Sequence, residues 1–333
     1  MFNKVSTNFL LSRTKAVVLF FLCLLTKISA EEPLSVGFWN VENLFDLENH
    51  PDKNDDEFAL GGRKNVTKEI YNKKIKHTAE VLEDLNVDVL GLCEVENKQV
   101  LIDLNNAYPK RNYKIVHYES PDERGIDNAL FYDPNKFFLS SSRPIVNVLP
   151  SGDKTRDILH VEGIYGGNLL HVFVNHWPSN YGGKEKSIPK RASTAKVLIR
   201  EVLKIMELDS GAEILLVGDF NEDPNDPNIE LLLEADLQSL MLPMVDKPKT
   251  GTYVYRGKDY LYDQIIVNSG LRDKKGLAIL DNSVSILDQP KYRQQEGRYA
   301  HYPFRFWAGN RLLGGYSDHL AVKIQIVKLI ILN

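Results

Sequence analysis

Short runs of apolar residues, each followed by a cluster of polar residues, recur along most of the chain. The runs are four to seven residues long and rich in β-branched and aromatic side chains, which is typical of buried strands rather than helices. The pattern predicts six strands, at residues 34–39, 87–93, 128–132, 169–174, 214–217 and 261–267.

Two longer segments have the periodicity of a helix instead. In the first, Tyr71, Ile75, Ala79, Leu82 and Leu85 share one helical face. The second has the same spacing between residues 192 and 202. Because strands alternate with a few long helices, the pattern predicts an α/β or α+β sandwich. No repeat or flexible linker divides residues 31–333, so we expect one domain there.

The first thirty residues have a different pattern. Three basic residues precede ten consecutive apolar ones at positions 16–25, and Ala30 supplies a small residue at an expected cleavage point. The apolar run is shorter than the about 20 residues that span a bilayer. We therefore interpret residues 1–30 as a secretory signal peptide and expect a secreted or periplasmic protein without a transmembrane segment after cleavage.

Composition adds limits to this picture. The 333 residues are 43% apolar and 26% charged, which is ordinary for a globular protein. Removal of residues 1–30 takes away four basic residues and changes the net charge from −4 to −8. Such a chain gains little nonspecific attraction to a phosphate polymer, so nucleic-acid binding would depend on local arginines or a metal ion. Only Cys93 then remains, which excludes an intramolecular disulfide and is best read as a buried thiol.

The stretch DFNEDPNDPNIE, which runs from Asp219 to Glu230, resembles a calcium-binding loop in the positions of its acidic and amide residues. Such a loop requires glycine at its sixth position, where this chain has Pro224. The residues before Asp219 also read as a strand, whereas a calcium loop follows a helix. The pattern therefore predicts a strand whose carboxyl end presents Asp219 and Asn221, followed by a turn and a helix start.

Other strands begin or end in chemically active side chains as well. Any one of them is more simply explained as a turn former. Together the motifs WNVEN, LCEVEN, VNHWPS, GDFNEDP, YDQIIV and YSDHLAV resemble, in this order, the endonuclease/exonuclease/phosphatase superfamily, the DNase I-like fold. The resemblance extends from Asn40 to His319. It implies an α/β fold, a four-layered α/β/β/α sandwich of two mixed β-sheets flanked by helices, with one metal-dependent phosphodiester site.

The resemblance also implies a role for each matching residue. Glu94 corresponds to the main Mg²⁺ ligand, with Asn40 and Asp318 as further direct or water-mediated ligands; Mn²⁺ or Ca²⁺ are alternatives. His176 and His319 correspond to the histidines that flank the scissile phosphate, and Asp263 to the acid that orients His319. Asp219 and Asn221 correspond to the pair that positions the attacking water and holds a phosphate oxygen. Asp219 and the Asp263–His319 pair remain rival candidates for the general base.

The segment before the predicted strand at 128–132 carries Arg124 and Asp127. In related proteins an arginine and an acid at this place reach the phosphate or the first histidine. The resemblance implies that Arg124 binds substrate phosphate and that Asp127 orients His176. A salt-bridged entry into a hairpin is the alternative.

The combined prediction is an exported, divalent-metal-dependent phosphodiesterase that acts as a monomer, without a stable protein partner, on DNA or RNA. A phosphatase or phosphodiesterase for small phosphoesters or phospholipid headgroups is the alternative, and a binding module without catalysis is a third. The segment 289–315, with its arginines and aromatic residues, is predicted to be a long ordered loop that either stacks on bases or packs against the domain. Nothing in the sequence decides between DNA and RNA or between endo- and exo-action.

Overall fold

Strands predominate in this computed structural model, which describes residues 32–329. The predicted signal peptide lies outside the described residues. The strands are β1 Leu34–Leu44, β2 Val89–Val95, β3 Lys114–His117, β4 Asp127–Tyr132, β5 Phe138–Ile145, β6 Ile158–Tyr165, β7 Asn168–His176, β8 Glu213–Asp219, β9 Gln238–Ser239, β10 Tyr253–Tyr255, β11 Lys258–Tyr260, β12 Asp263–Val267, β13 Leu277–Ile279, β14 Ser285–Ile286, β15 Trp307–Ala308, β16 Arg311–Leu312 and β17 Val322–Lys328.

The α-helices are α1 Lys68–Leu85, α2 Lys98–Ala107, α3 Lys184–Leu208 and the single turn α4 Pro227–Glu230. Side chains cap the first two: Thr67 accepts a hydrogen bond from the backbone of Ile70, and Asn97 accepts from two N–H groups of α2. Within residues 32–329, no helix is long and apolar enough to cross a lipid bilayer.

Two mixed sheets form the centre of the fold. The first has the strand order β13-β17-β1-β2-β4-β3, with β14 also paired to β17, and the second has the order β5-β6-β7-β8-β12-β9. In the first sheet β1 and β2 run parallel, and in the second β7 and β8 do, while the other neighbouring strands are antiparallel.

Hydrophobic side chains fill three layers of contact. One cluster, which includes Phe38, Val174 and Val217, lies between the two sheets. A second joins α1 and α2 to the outer face of the first sheet, and a third joins α3 to the outer face of the second. The predicted four-layered α/β/β/α sandwich is therefore confirmed.

All six predicted strands and both predicted helices exist, with bounds that differ by a few residues. The segment 289–315 is less extended than a simple loop, because it contains a 3₁₀ turn at Pro290–Tyr292 and the small hairpin of β15 and β16. Cys93 is buried and unpaired, as predicted.

Candidate active site

The strand register brings three of the predicted site residues side by side. In the second sheet Asp219 lies opposite His176 of the parallel strand β7 and opposite Asp263 of the antiparallel strand β12. Because β12 runs against β8, the start of β12 meets the end of β8. Gly218 allows β7 and β8 to approach closely, since a Cβ at this residue would lie 2.6 Å from the backbone oxygen of Asn175 on β7.

Asn40 brings the first sheet into the same site. Its Nδ2 donates a hydrogen bond of 3.1 Å to Asp219 Oδ2, which joins the ends of β1 and β8 across the sandwich. Asp219 Oδ1 accepts a hydrogen bond of 3.0 Å from the backbone N–H of Asn221. Asn221 in turn donates its side-chain N–H to the carbonyl oxygen of Trp177. The Asp219 carboxylate is thus fixed in position through both oxygens.

His319 and Asp263 form a close pair behind this carboxylate. Asp263 Oδ2 lies 2.7 Å from His319 Nδ1, and His319 Nε2 lies 3.7 Å from Asp219 Oδ2. Burial alone would lower the pKa of His319, but the carboxylates of Asp263 and Asp219 outweigh it and raise that pKa well above its ordinary value. His319 is therefore a cation with its Nδ1 proton held by Asp263 and its Nε2 directed toward Asp219.

His176 approaches Asp219 from the other side. Its Nε2 lies 3.8 Å from Asp219 Oδ2 and 3.9 Å from Glu94 Oε1. Burial, together with the nearby cations Arg156 and Arg124, lowers the pKa of His176 well below its ordinary value. The two histidines therefore differ in charge, with a neutral imidazole on one side of Asp219 and an imidazolium on the other.

Burial also raises the pKa of Asp219, to about 7, and the negative charge of Asp263 adds to this effect. The hydrogen bonds from Asn40 and Asn221 act in the opposite direction. A buried carboxylate with a pKa near neutrality, between two imidazoles, is a typical feature of a proton-transfer site.

Backbone strain marks the same edge of the sandwich. Glu42, Asn43, Glu94 and Asn221 all have positive φ angles between 52° and 61°. Residues other than glycine adopt the left-handed backbone region at a cost of roughly 1–3 kcal/mol each, and such residues cluster at functional sites.

Oxygen atoms available to a cation lie beside the histidines. Glu94 Oε2 accepts the backbone N–H of Asn43 at 2.9 Å, and Oε1, on the side of His176, has no hydrogen-bond partner within residues 32–329. Asn40 Oδ1 accepts one N–H, from Glu42, and has a second lone pair. Asp318 contributes a carboxylate that is salt-bridged to Arg305 at 2.8 Å through Oδ2. This hard-oxygen donor set fits Mg²⁺, which keeps several of its waters.

The predicted substrate residues lie differently from one another. Arg124 is exposed over 45% of its side chain and lies 3.6 Å from Asp122, so its guanidinium faces solvent near the site. Asp127 is buried, and its two oxygens are taken by His117 Nε2 at 3.0 Å and by the backbone N–H of Ser120 at 2.8 Å. The prediction that Asp127 orients His176 is corrected by this geometry, because His176 Nδ1 has no hydrogen-bond partner among the described residues.

Several supporting residues escaped the sequence analysis. Glu42 of the WNVEN motif is buried and accepts the backbone N–H groups of Phe306 and Trp307 at 2.6 and 3.0 Å. Its carboxylate also lies 3.5 Å from Arg305 Nε. Burial and the charge of Asp318 raise the pKa of Glu42 to about 7. Glu42 thereby ties the segment 289–315 to the active-site edge; its place inside a matched motif was the available signal.

Arg156 and Arg191 belong to no motif, so no sequence signal pointed to them. Arg156 donates to the carbonyl oxygen of Trp177 at 2.7 Å, beside His176. Arg191 of α3 is fully buried and pairs with Glu222 at 2.7 Å. Glu222 follows Asn221, so this ion pair holds the loop that presents Asp219 and Asn221.

Comparison with known proteins identifies the family of the chain. A sequence model of the Endonuclease/Exonuclease/phosphatase family matches residues 35–328. The chain belongs to that family. No curated protein sequence matches it.

Solved structures share the fold at low sequence identity. The catalytic domain of human Nocturnin with bound sulfate is 18% identical, with a TM-score of 0.57 over 90% of this chain and 96% of that one. TDP2 of D. rerio, complexed with a single-strand DNA product, is 14% identical, with a TM-score of 0.57 over 89% and 99% of the two chains. A family protein of Bacteroides thetaiotaomicron is 18% identical, with a TM-score of 0.56 over 90% and 100%. These similarities show the DNase I-like fold.

Proposed function

We propose that this protein is a divalent-metal-dependent phosphodiesterase and that its substrate is a nucleic acid. The observation that carries the proposal is the position of the Asp219 carboxylate, 3.8 Å from His176 and 3.7 Å from His319, with the free oxygen of Glu94 beside His176. The family unites endonucleases, exonucleases and phosphatases, all of which hydrolyse phosphoric esters.

The side chains divide the work of hydrolysis among them. The His319 imidazolium, held by Asp263, offsets the charge of a phosphate oxygen, and neutral His176 donates a hydrogen bond to another. Asp219 accepts a hydrogen bond from the attacking water and is placed to receive its proton, while Asn221 fixes the carboxylate from behind. We propose Asp219 as the general base rather than the Asp263–His319 pair, because an imidazolium held by Asp263 has no lone pair to accept the proton of water.

Glu94, with Asn40 and Asp318, would hold the cation. A bound Mg²⁺ supplies positive charge against the phosphate and the leaving oxygen. Glu42 accepts the backbone N–H groups of Phe306 and Trp307, which holds the neighbouring Arg305 in place. The salt bridge from Arg305 then fixes the orientation of the Asp318 carboxylate. We propose Mg²⁺ as the ion, and Mn²⁺ or Ca²⁺ as replacements, since the donors are oxygen atoms.

An exposed aromatic side chain favours nucleic acid as the substrate. Tyr181 lies in the loop that follows His176 and is 96% exposed. Its neighbour Asn180 donates to the carbonyl oxygen of Asn221 at 3.2 Å, which anchors this loop to the active site. Aromatic side chains beside a phosphate site stack on unpaired bases, with a contribution of roughly 1–3 kcal/mol per base.

A groove with three basic side chains supports the same substrate. A cavity of about 260 Å³ is lined by Lys64, Arg124 and Arg305 together with Glu42 and Glu57, and Arg124 is the basic residue among them whose side chain is most exposed, at 45%. The segment 289–315, in contrast, presents little apolar surface to a membrane, since Phe306 and Trp307 are buried. These contacts favour a nucleic acid over a phospholipid headgroup.

A substrate screen tests the proposal. The purified protein would be incubated with plasmid DNA, single-stranded DNA, RNA, phospholipids and a small chromogenic phosphodiester, with Mg²⁺, Mn²⁺ or Ca²⁺ or after chelation. We expect cleavage of a nucleic acid that needs the cation and is lost in His176→Ala. Tyr181→Ala should raise KM for single strands at least tenfold and leave the small diester unaffected. Failure to cleave any nucleic acid would refute the proposal, and turnover of lipid or small esters alone would identify the alternative substrate class.

We also propose that the protein acts outside the inner membrane, on the basis of the pattern in residues 1–30. We propose in addition that it acts as a monomer. Mass spectrometry of protein recovered from the periplasm or medium should give a chain that begins at Glu31, and size-exclusion chromatography with light scattering should give one chain per particle. A chain that retains residues 1–30 in the cytoplasm would contradict the export proposal.

A further inference from the structure

A second group of potential metal ligands lies on the outer face of the second sheet. It comprises His160 and Glu162 of β6 and His171 of β7, whose nitrogen and carboxylate atoms lie within 4.8 Å of one another. His171 and His176 are five residues apart on β7, or about 16 Å along the strand. Because five is an odd number, their side chains point to opposite faces of the sheet. This cluster, which we name the His–Glu–His cluster, is therefore separate from the active site.

Strand pairing holds the three side chains together. Glu162 lies directly opposite His171, and His160 lies opposite Phe173. The His160 ring stacks on that of Phe173, with centroids 4.3 Å apart, and on that of His171, with centroids 5.4 Å apart. Cross-strand neighbours of this kind have limited freedom, so the ligand atoms are positioned before any ion arrives.

The distances between the ligand atoms match those around a transition-metal ion. His160 Nε2 lies 3.2 Å from His171 Nδ1, and Glu162 Oε1 lies 3.7 Å from His171 Nδ1 and 4.0 Å from His160 Nε2. A point equidistant from the three atoms of this triangle is about 2.1 Å from each, which is the usual length of Zn–N and Zn–O bonds.

The chemical state of the side chains also suits an ion. His160 Nε2 and His171 Nδ1 share a hydrogen bond of 3.2 Å, so one of these two nitrogens carries the proton that an arriving cation would displace. Ser141 donates a hydrogen bond of 2.8 Å to Glu162 Oε2, which leaves Oε1 directed toward the histidines. The Glu162 side chain is 29% exposed, so the cluster has a route to solvent.

We propose that the His–Glu–His cluster is a Zn²⁺-binding site that clamps β6 to β7 and has no part in hydrolysis. Two imidazoles and one carboxylate form a donor set typical of zinc, with a further position open to water, and a poor one for Mg²⁺, which prefers oxygen atoms alone. The chain would thus carry two cation sites with different metal preferences.

Isothermal titration of chelator-treated protein with Zn²⁺ tests the proposal. We compare the wild type with Glu162→Gln and His171→Gln, and with His176→Gln and His301→Gln as controls. The wild type should bind one more equivalent of Zn²⁺ than Glu162→Gln or His171→Gln, and both controls should retain that equivalent. At a Zn²⁺ concentration one hundred times Kd, the melting temperature of the wild type should rise by about 4 °C. Glu162→Gln should lose the rise.

The hydrolysis rate of Glu162→Gln separates zinc binding at the His–Glu–His cluster from the chemistry of the active site. Glu162→Gln should hydrolyse the substrate at a rate within twofold of the wild type, because the residue lies on the opposite face of the sheet. Glu162 is also partly exposed, so this variant gives a result even where His171→Gln does not fold. Equal zinc stoichiometry and equal melting temperatures for the wild type and Glu162→Gln would overturn the proposal and leave the cluster as packed aromatic rings.

Discussion

Replacement of Asp263 by asparagine isolates the contribution of one hydrogen bond to catalysis. Asp263 is fully buried and its Oδ2 lies 2.7 Å from His319 Nδ1. The substitution preserves shape but removes the charge that stabilises the imidazolium. The amide can also donate to Nδ1, which makes the ring neutral and leaves its only proton on Nε2, so the phosphate loses the positive charge that it contacts.

The size of the effect follows from these two losses. A hydrogen bond to a charged group contributes about 1.5–3 kcal/mol, and loss of one preorganised electrostatic contact to the transition state costs about 10²–10³ in rate. We expect kcat of Asp263→Asn to fall by about 10²–10⁴, or roughly 3–5 kcal/mol of transition-state stabilisation. KM should change by less than about threefold, since the substrate's other contacts remain.

Steady-state hydrolysis of a nucleic-acid substrate between pH 5 and 10 measures both kcat and its pH dependence. Without the Asp263 charge, the pKa of His319 falls, so the loss of activity on the alkaline side should begin at a lower pH than in the wild type. Asp236→Asn, which breaks an exposed ion pair with Arg272, is the matched control and should keep full activity. A kcat within fivefold of the wild type, with an unchanged alkaline limb, would refute the role given to Asp263.

Three further changes test the supports of the site. Arg191→Met should lower the free energy of unfolding by about 3–5 kcal/mol because it leaves buried Glu222 unpaired, and adding Glu222→Gln should restore part of it, as measured by urea titration. Burial raises the pKa of Glu213 from 4.5 to about 7, so the folded chain holds a proton that the unfolded chain lacks, and stability should fall as pH rises across this window. Glu213→Gln should remove that dependence and be about 1–3 kcal/mol more stable than the wild type at pH 8. Gly218→Ala should cost about 1–3 kcal/mol in a melting experiment, since its Cβ would meet Asn175 at 2.6 Å; wild-type melting would contradict the packing argument.

The sequence was sufficient to locate six of the strands and the polar residues at their ends. Apolar runs of four to seven residues predict buried strands, and the polar residue at the end of each run is visible in the printed sequence. Asn40, His176 and Asp219 were found this way, and the structure brings their side chains together because both sheets present this edge to the same side of the sandwich.

Pairings between distant segments were beyond that reasoning. Asp127 was assigned to His176, yet it lies against His117, because β3 and β4 pair in a register that places His117 opposite Ala129, two residues from Asp127. The periodicity of a strand gives the face on which a side chain lies but not which neighbouring strand supplies its partner. The same limit hid Arg156, which reaches the site through a hydrogen bond to the Trp177 carbonyl and through its charge beside His176.

The acidic stretch that begins at Asp219 has the spacing of a calcium loop, but its side chains are directed to different partners. Asp219 lies beside His176 and His319, whereas Glu222 points inward to Arg191 and Asp223 accepts the backbone N–H of Leu261 at 2.7 Å. Asp226 precedes the single turn α4 and closes the loop by accepting the N–H of Asp223. Neighbouring carboxylates thus contact the two histidines, a buried arginine and the backbone of the loop separately. A loop that holds one buried carboxylate with a pKa near 7 needs its other acids directed away from that carboxylate, since each additional negative charge beside Asp219 would raise its pKa further.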